Sequence, residues 1–355
     1  MKRTILTGSA PLLGAAPLLG AALLLGAALA VSAPAAAQGS GSATIDSIKS
    51  KGTLVCGVST GVAGFSLADS KGVTQGIDAD TCRAVAAAII GDVSKVRFVP
   101  LTTTNRFTAL QSGEIDVLAR NTTWTLAREG NLGLLFTGVN FYDGTGFLVK
   151  TSAGVKSVKE LDGATICVQP GTSTELAITD YFRLNNIKFT PVLIQDYAEI
   201  QNTYLAGRCD SYSTDASGLA SFRFQQGSKA SEHLLLPEII SKEPLGPMVR
   251  KGDDKFFDLV RWTLFAMIQA EESGVTSKNV DEMLKSNNPD IRRLLGNEGD
   301  LGKALGVDNK WVVNVMKGVG NYGEVWDRTV APLGIPRGIN NLWSKGGLHY
   351  PPPIR

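Results

Sequence analysis

Residues that could hold an anion gather in one stretch, Asn105–Arg128, NRFTALQSGEIDVLARNTTWTLAR. It opens as a helix-like run through Arg106, Phe107 and Leu110 and breaks at Gly113. A short strand is expected over Ile115–Ala119, followed by a polar turn with Asn121, Thr123 and Arg128. A strand delivering hydroxyls and an arginine to its C-terminal end is an anion-binding arrangement in an α/β fold. The planar fork of Arg128 can meet a carboxylate with two parallel hydrogen bonds, although pairing with Glu129 on the surface is the plainer role. Farther on, Gly171-Thr172-Ser173-Thr174-Glu175 opens a helix. Free N–H groups at a helix start attract anions, and Thr172 or Ser173 can add a hydroxyl. The same letters also spell a capping box. Asp215 ends a strand ahead of a helix, where simple capping is its plainer role.

Four cysteines, Cys56, Cys82, Cys167 and Cys209, have no C-x-x-C spacing and no nearby histidine, so no metal site or cofactor is expected. In an oxidising compartment two disulfides are the natural reading. Pairing neighbours within each α/β unit gives Cys56–Cys82 and Cys167–Cys209.

The elements that must position these groups repeat. Strand Thr53–Val58, an irregular loop Gly61–Gly76, and helix Asp78–Ile90 capped by Asp78 or Asp80 come first. Strand Val96–Pro100 and the Asn105–Arg128 segment complete a β-α-β-α-β order, which calls for a parallel, doubly wound sheet. Phe141–Lys150 reads as an extended connection. The order then repeats with strand Ala164–Val168, helix Thr174–Asn185, strand Thr190–Ile194, helix Tyr197–Ala206, strand Asp210–Ser213 and a helix from Ala216. Leu236–Val249, containing Pro237, Pro244 and Pro247, is a second connection, and helix Asp254–Ala270 follows. The expected fold is therefore α/β, with two lobes around a cleft and the chain returning to the first lobe. The bounds are 43–143 with 244–355 for lobe 1 and 144–243 for lobe 2, after a flexible lead-in at 38–42 and an amphipathic turn.

Residues 1–37 read as a signal peptide: Lys2 and Arg3, an apolar region, then Ala35-Ala36-Ala37. No cysteine follows it for a lipid anchor, and no later segment approaches the ~18 apolar residues of a membrane span. Removing Lys2 and Arg3 leaves as many basic as acidic residues, starting from 35 and 33. With no basic stripe, nucleic acid is not an expected partner.

The pattern N-R-x-x-A-L-x-x-G-x-x-D followed by T-x-x-x-x-R resembles the extracytoplasmic amino-acid-binding proteins of ABC importers. GVTQGIDAD (72–80), VQPGTSTEL (168–176) and LAGRCDSYSTD (205–215) carry the same resemblance. EIISKEPLGPMVRKGDDKFFDLVRWTLFA (238–266) and VGNYGEVWDRTVAPLGIPRGINNLWSKGGL (319–348) resemble its general L-amino-acid-binding branch, which has a C-terminal extension. The resemblance implies a periplasmic binding-protein fold and a monomer that hands L-amino acids to an ABC permease. Arg128 would clamp the ligand α-carboxylate, assisted by Asn121 and Thr123. Thr172 and Ser173 would close over it from lobe 2, and Asp215 would hold the α-ammonium. Val62 and Phe65 would flank the side chain. Relatives that bind basic amino acids carry an aromatic ring in place of Val62 and an acid in place of Ser59, so a wider, uncharged pocket is implied here. Closure would turn on the crossings, with Gly144 and Gly146 on one side and Pro244, Gly246 and Pro247 on the other.

Gly318-Val-Gly-Asn-Tyr-Gly323 matches G-x-G-x-x-G but follows a helix-like run, the wrong context for a dinucleotide. With two histidines a Ser/His/Asp hydrolase has little to work with. The competing reading is an exported dehydratase of cyclic carboxylates on the same two lobes, with Asp215 as base.

Overall fold

A strand buried along its whole length must be covered on both faces, and Leu54–Val58 is such a strand. In the computed structural model, which describes residues 39–355, it pairs in parallel with Val96–Pro100 on one side and Val117–Leu118 on the other. Helices Ile77–Ile90 and Arg106–Ser112 make the crossovers. Met248–Arg250 then enters antiparallel between Val117–Leu118 and Leu134–Phe136, completing five strands. The second sheet has the same order. Ala164–Val168 lies between Phe189–Leu193 and Ser211–Asp215, followed by antiparallel Thr145–Lys150 and His233–Leu235. Both lobes are thus mixed sheets with a parallel core. The expected signal peptide, residues 1–37, lies outside the described residues.

Between the lobes run two short strands, Phe141–Asp143 and Glu243–Leu245, paired antiparallel with Asp143 opposite Glu243 and Tyr142 opposite Pro244. The connection read over Phe141–Lys150 is therefore two strands in two different sheets, and Gly146 lies inside the second of them. Gly246 is a point of close approach: a Cβ there would stand 1.8 Å from the Gly138 carbonyl oxygen.

Three further elements differ from their expected form. The loop at 61–76 contains a small hairpin, Leu67–Ala68 with Thr74–Gln75. The amphipathic turn after the lead-in is a full helix, Ala43–Lys51, capped by Ser42. Neither Asp78 nor Asp80 caps the first long helix, which starts at Gly76 with φ 131°. A Cβ on Gly76 would collide with the Phe65 carbonyl at 2.2 Å, so the aspartates are displaced one turn inward. Asp80 there pairs with Arg83 and Arg328.

Helix Asp254–Glu272 returns the chain to the first lobe. It packs with Ile77–Ile90, Trp311–Gly318 and Tyr322–Thr329 in one continuous core. Asn321 and Glu324 form a capping box on the last of these, so the glycine-rich 318–323 segment joins two helices. The disulfides are Cys56–Cys82, strand to helix in lobe 1, and Cys167–Cys209 in lobe 2.

Candidate functional site

The ends of strands Val117–Leu118 and Ser211–Asp215 meet across the cleft, and the lobes are closed on each other. Thr123 Oγ1 and Ser173 Oγ are 2.9 Å apart. Since Ser173 donates to Glu243 Oε2 at 2.7 Å, Thr123 is the donor of that pair. Asn121 Nδ2 donates to Asp215 Oδ2 at 3.4 Å, and Gln195 Nε2 donates to Thr102 Oγ1 at 2.9 Å. Between these contacts lies a cavity of about 20 Å³, lined by Thr103, Arg106, Arg120, Asn121, Gln169 and Asp215 together with cleft threonines and Ser173. That volume holds roughly one water-sized sphere, so any larger molecule requires these side chains or the lobes to move apart.

Three arginines are buried on the lobe 1 side: Arg106, Arg120 and Arg128. The polar turn starts with Asn121 in the left-handed region, φ 30°, its N–H held by Asp78 Oδ2 at 2.7 Å. Asparagine tolerates that conformation better than most residues. Arg120 Nε donates to the Leu101 carbonyl at 2.8 Å. Arg128 sits on the short helix Leu126–Asn131, capped by Thr125, and its Nη1 donates to the Thr123 carbonyl at 2.8 Å. Glu129 instead accepts from Trp124 Nε1, so the surface Arg128–Glu129 pair is not formed. The guanidinium groups of Arg106 and Arg128 lie 4.8 and 5.3 Å from the Phe107 ring centre.

From lobe 2 come Ser173, Asp215 and the cap residue Thr172. Thr172 spends its hydroxyl on its own turn: it donates to the Gln169 carbonyl and accepts from Glu175 N–H. Asp215 makes no capping hydrogen bond to the helix it precedes. Its side chain is turned toward Asn121.

Burial sets the electrostatics. It pushes the Asp215 carboxyl well above the usual range, with Asp143 and Glu243 adding to the shift and Asn121 and Arg106 opposing it. Burial likewise raises Asp143 and Asp78, each to about 6. Desolvation lowers all three arginines, Arg120 to about 10, while Asp78 and Asp215 support its charge.

Three buried polar atoms on cavity-lining residues have no protein partner: Arg106 Nε, Asn121 Oδ1 and Thr103 Oγ1. A charged donor, an amide acceptor and a hydroxyl that can do either, with Asp215 beside them, form a set that a small zwitterion would satisfy. Arg106 and Arg120 escaped the sequence reading as site residues. The available signal was Arg120 closing the apolar run Val117–Ala119 at a strand end, where a solvated charge is out of place. Val62 and Phe65 are buried in the lobe 1 core, Phe65 edge-on to Phe141 at 5.1 Å, and neither lines the cavity. Arg128 does not line it either; it stands behind Thr123. Among the described residues no cluster of metal-binding side chains occurs, and no helix is long and apolar enough to cross a membrane.

Comparison with known proteins places this architecture. Residues 54–279 match the bacterial extracellular solute-binding proteins, family 3. The chain is 54% identical over 324 residues to the general L-amino acid-binding periplasmic protein AapJ of Rhizobium johnstonii, covering 90% of this chain and 95% of that one. It is 53% identical over 326 residues to the glutamate/glutamine/aspartate/asparagine-binding protein BztA of Rhodobacter capsulatus, covering 90% and 96%. A solved ABC-transporter periplasmic binding protein from Brucella ovis with glutathione bound superposes with a TM-score of 0.86 at 52% identity, covering 88% of this chain and 99% of that one. With its paired sheets and two-strand crossing, the chain belongs to the bacterial extracellular solute-binding proteins, family 3.

Proposed function

We propose that this protein captures free L-amino acids of several kinds between its lobes and delivers them to an ABC permease in the periplasm. The observation that carries this is the set of unpartnered atoms in the cleft: Arg106 Nε as donor, Asn121 Oδ1 as acceptor and the Thr103 hydroxyl, which can do either, beside the carboxyl of Asp215. Every amino acid presents a carboxylate to such donors and an ammonium to such acceptors, whatever its side chain. In this reading Arg106 and Thr123 hold the carboxylate from lobe 1, and Arg128, outside the closed cavity behind Thr123, joins them as the cleft widens to admit a ligand. Thr172 and Ser173 approach from lobe 2 and Asp215 takes the ammonium; Val62 and Phe65, in the lobe 1 core outside the closed cavity, would meet the ligand side chain only where the cleft widens toward them. Opposite charges on opposite lobes make the ligand a bridge, a differential contact that favours closure.

The names of the relatives support a binding role and ligands of the amino-acid class. A dehydratase would use Asp215 as a base and the cleft arginines for its substrate's carboxylate; the relatives named for amino-acid binding favour capture instead. The periplasmic site of action, cleavage after Ala37 and a monomeric state belong to the same proposal. Calorimetric titration of refolded, ligand-stripped protein with each common amino acid tests it: several should bind. Mass spectrometry after long incubation with amino acids and cyclic carboxylates should recover them unchanged. Turnover of any bound compound would defeat the binding-protein reading.

A further inference from the structure

The ribbon between the lobes changes allegiance at one peptide step. Tyr142 N–H donates to Asn340 Oδ1 at 2.7 Å, and Asn340 Nδ2 donates back to the Tyr142 carbonyl at 2.9 Å. Two residues earlier the Tyr322 hydroxyl donates to the Asn140 carbonyl at 2.8 Å. Arg337 Nε donates to the Asn340 carbonyl at 3.2 Å, and the arginine fork meets Glu271 at 2.7 and 2.6 Å on the helix Asp254–Glu272. Up to Tyr142, then, the strand is fastened to lobe 1. The next residue faces the other way: the Asp143 carboxylate accepts from Ser217 N–H at 3.3 Å, in the first turn of the lobe 2 helix Ala216–Gln225.

The return crossing divides at the matching place. The Pro244 carbonyl accepts from Trp124 N–H at 2.8 Å and Gly246 N–H donates to the Thr122 carbonyl at 3.0 Å, both on lobe 1. The Glu243 carboxylate accepts from Thr145 at 3.2 Å and Ser173 at 2.7 Å, both on lobe 2. Because Tyr142 is opposite Pro244 and Asp143 opposite Glu243, the two changeovers lie side by side.

We propose that the C-terminal extension is a hinge clamp, in which Arg337 carries Asn340 onto Tyr142 and confines lobe rotation to the Tyr142–Asp143 and Glu243–Pro244 steps. Asn340 is a positioning residue for ligand capture and acts through Tyr142; it lines no part of the cleft. The clamp rests on the reading that capture proceeds by lobe closure. A side-chain amide offers one donor face and one acceptor, so Asn340 serves the outer edge of the ribbon as a third strand would. A contact equally present in open and closed states favours neither. Its effect enters through the breadth of the open ensemble, since an unclamped strand must be ordered again at every closure. Ordering the backbone of one residue corresponds to roughly 5- to 30-fold in an equilibrium constant. Every ligand uses the same closure, so each should lose the same factor.

The test compares the wild-type protein with Asn340→Ala and Asn340→Asp; the second keeps the volume but sets a carboxylate oxygen against the Tyr142 carbonyl. In ligand-free protein, amide exchange at Asn140, beyond the lost bonds themselves, should quicken ~10-fold or more, and the radius of gyration should rise. Affinities for alanine, glutamate, glutamine and arginine should fall by a common factor of about 5 or more, with their order kept. Exchange and affinities within 2-fold of wild type in a folded variant, even one that melts earlier, would overturn the clamp. So would a changed ligand order, which would place Asn340 in the cleft. If wild type binds none of these amino acids while exchange still responds to Asn340, the ligand reading fails and the clamp stands.

Discussion

Arg128 is expected to matter to every ligand alike. Arg128→Ala should cost about 2–5 kcal/mol of affinity for each amino acid, because a buried ligand carboxylate is left unpaired. Arg128→Lys should fail too, since an ammonium cannot copy a planar fork. Titration calorimetry across several amino acids checks both, and normal binding of any by Arg128→Ala would remove the assignment. Asp78 gives a pH signature. Its folded pKa, raised to about 6 by burial, stands above the 3.8 of a free aspartate, so the folded protein binds this proton more tightly than the unfolded one. Its contribution is therefore complete below about pH 4 and lost as pH rises through 6, in all about 3 kcal/mol. Melting curves from pH 4 to 8 should show the advantage of wild type over Asp78→Asn shrinking over that interval and level above pH 7. Such residues also show what a sequence hides. Asp215 could be placed at the cleft from its position at a strand end, whereas Arg128 was expected there from the polar turn before it and sits on a short helix outside the closed cavity. Asp78, Arg106 and Arg120 were not legible, since their burial depends on neighbours far along the chain.

Elements were easier to read than their joints. Helix and strand alternation came through within a residue or two at most positions, because apolar periodicity records which face is covered. The crossings were misread in part: an extended segment looks the same whether it joins a sheet or links two. Gly246 is the instructive case. Its neighbours Pro244 and Pro247 make it resemble a flexible joint, yet a Cβ would strike the Gly138 carbonyl at 1.8 Å. Gly246→Ala should therefore destabilise the protein by about 1–3 kcal/mol through overpacking, visible as a lower urea midpoint. The cysteine pairs were legible from proximity within each unit. Replacing Cys167 and Cys209 together by serine should cost about 2–4 kcal/mol in stability by freeing the loop between them in the unfolded chain. The amino-acid affinity order should be unchanged, since neither cysteine lines the cavity.

Both disulfides lie within a lobe, so no covalent bridge opposes rotation about the ribbon. Small-angle scattering should show a smaller radius of gyration with a saturating amino acid than without. An unchanged value, with ligand-free protein already open in crystals, would rule out capture by closure. The direct hydroxyl contacts between Thr123 and Ser173 and between Gln195 and Thr102 show that the lobes fit each other closely. A ligand must compete with them, which makes affinity a difference between two closed arrangements. Two lobes around a cleft could be inferred from the repeated order of elements. The use of the C-terminal segment could not, because Asn340 and Tyr142 lie far apart in the chain.

A ribbon of two strands normally has two bare edges, and bare edges recruit other chains. Here one edge is filled by the Asn340 amide. On the other strand, opposite Tyr142, proline has no N–H to offer and its carbonyl is already taken by Trp124. The joint can therefore bend repeatedly without presenting a template for strand addition. At this step the hinge ribbon offers a second copy of the chain no free backbone pair to add a strand to.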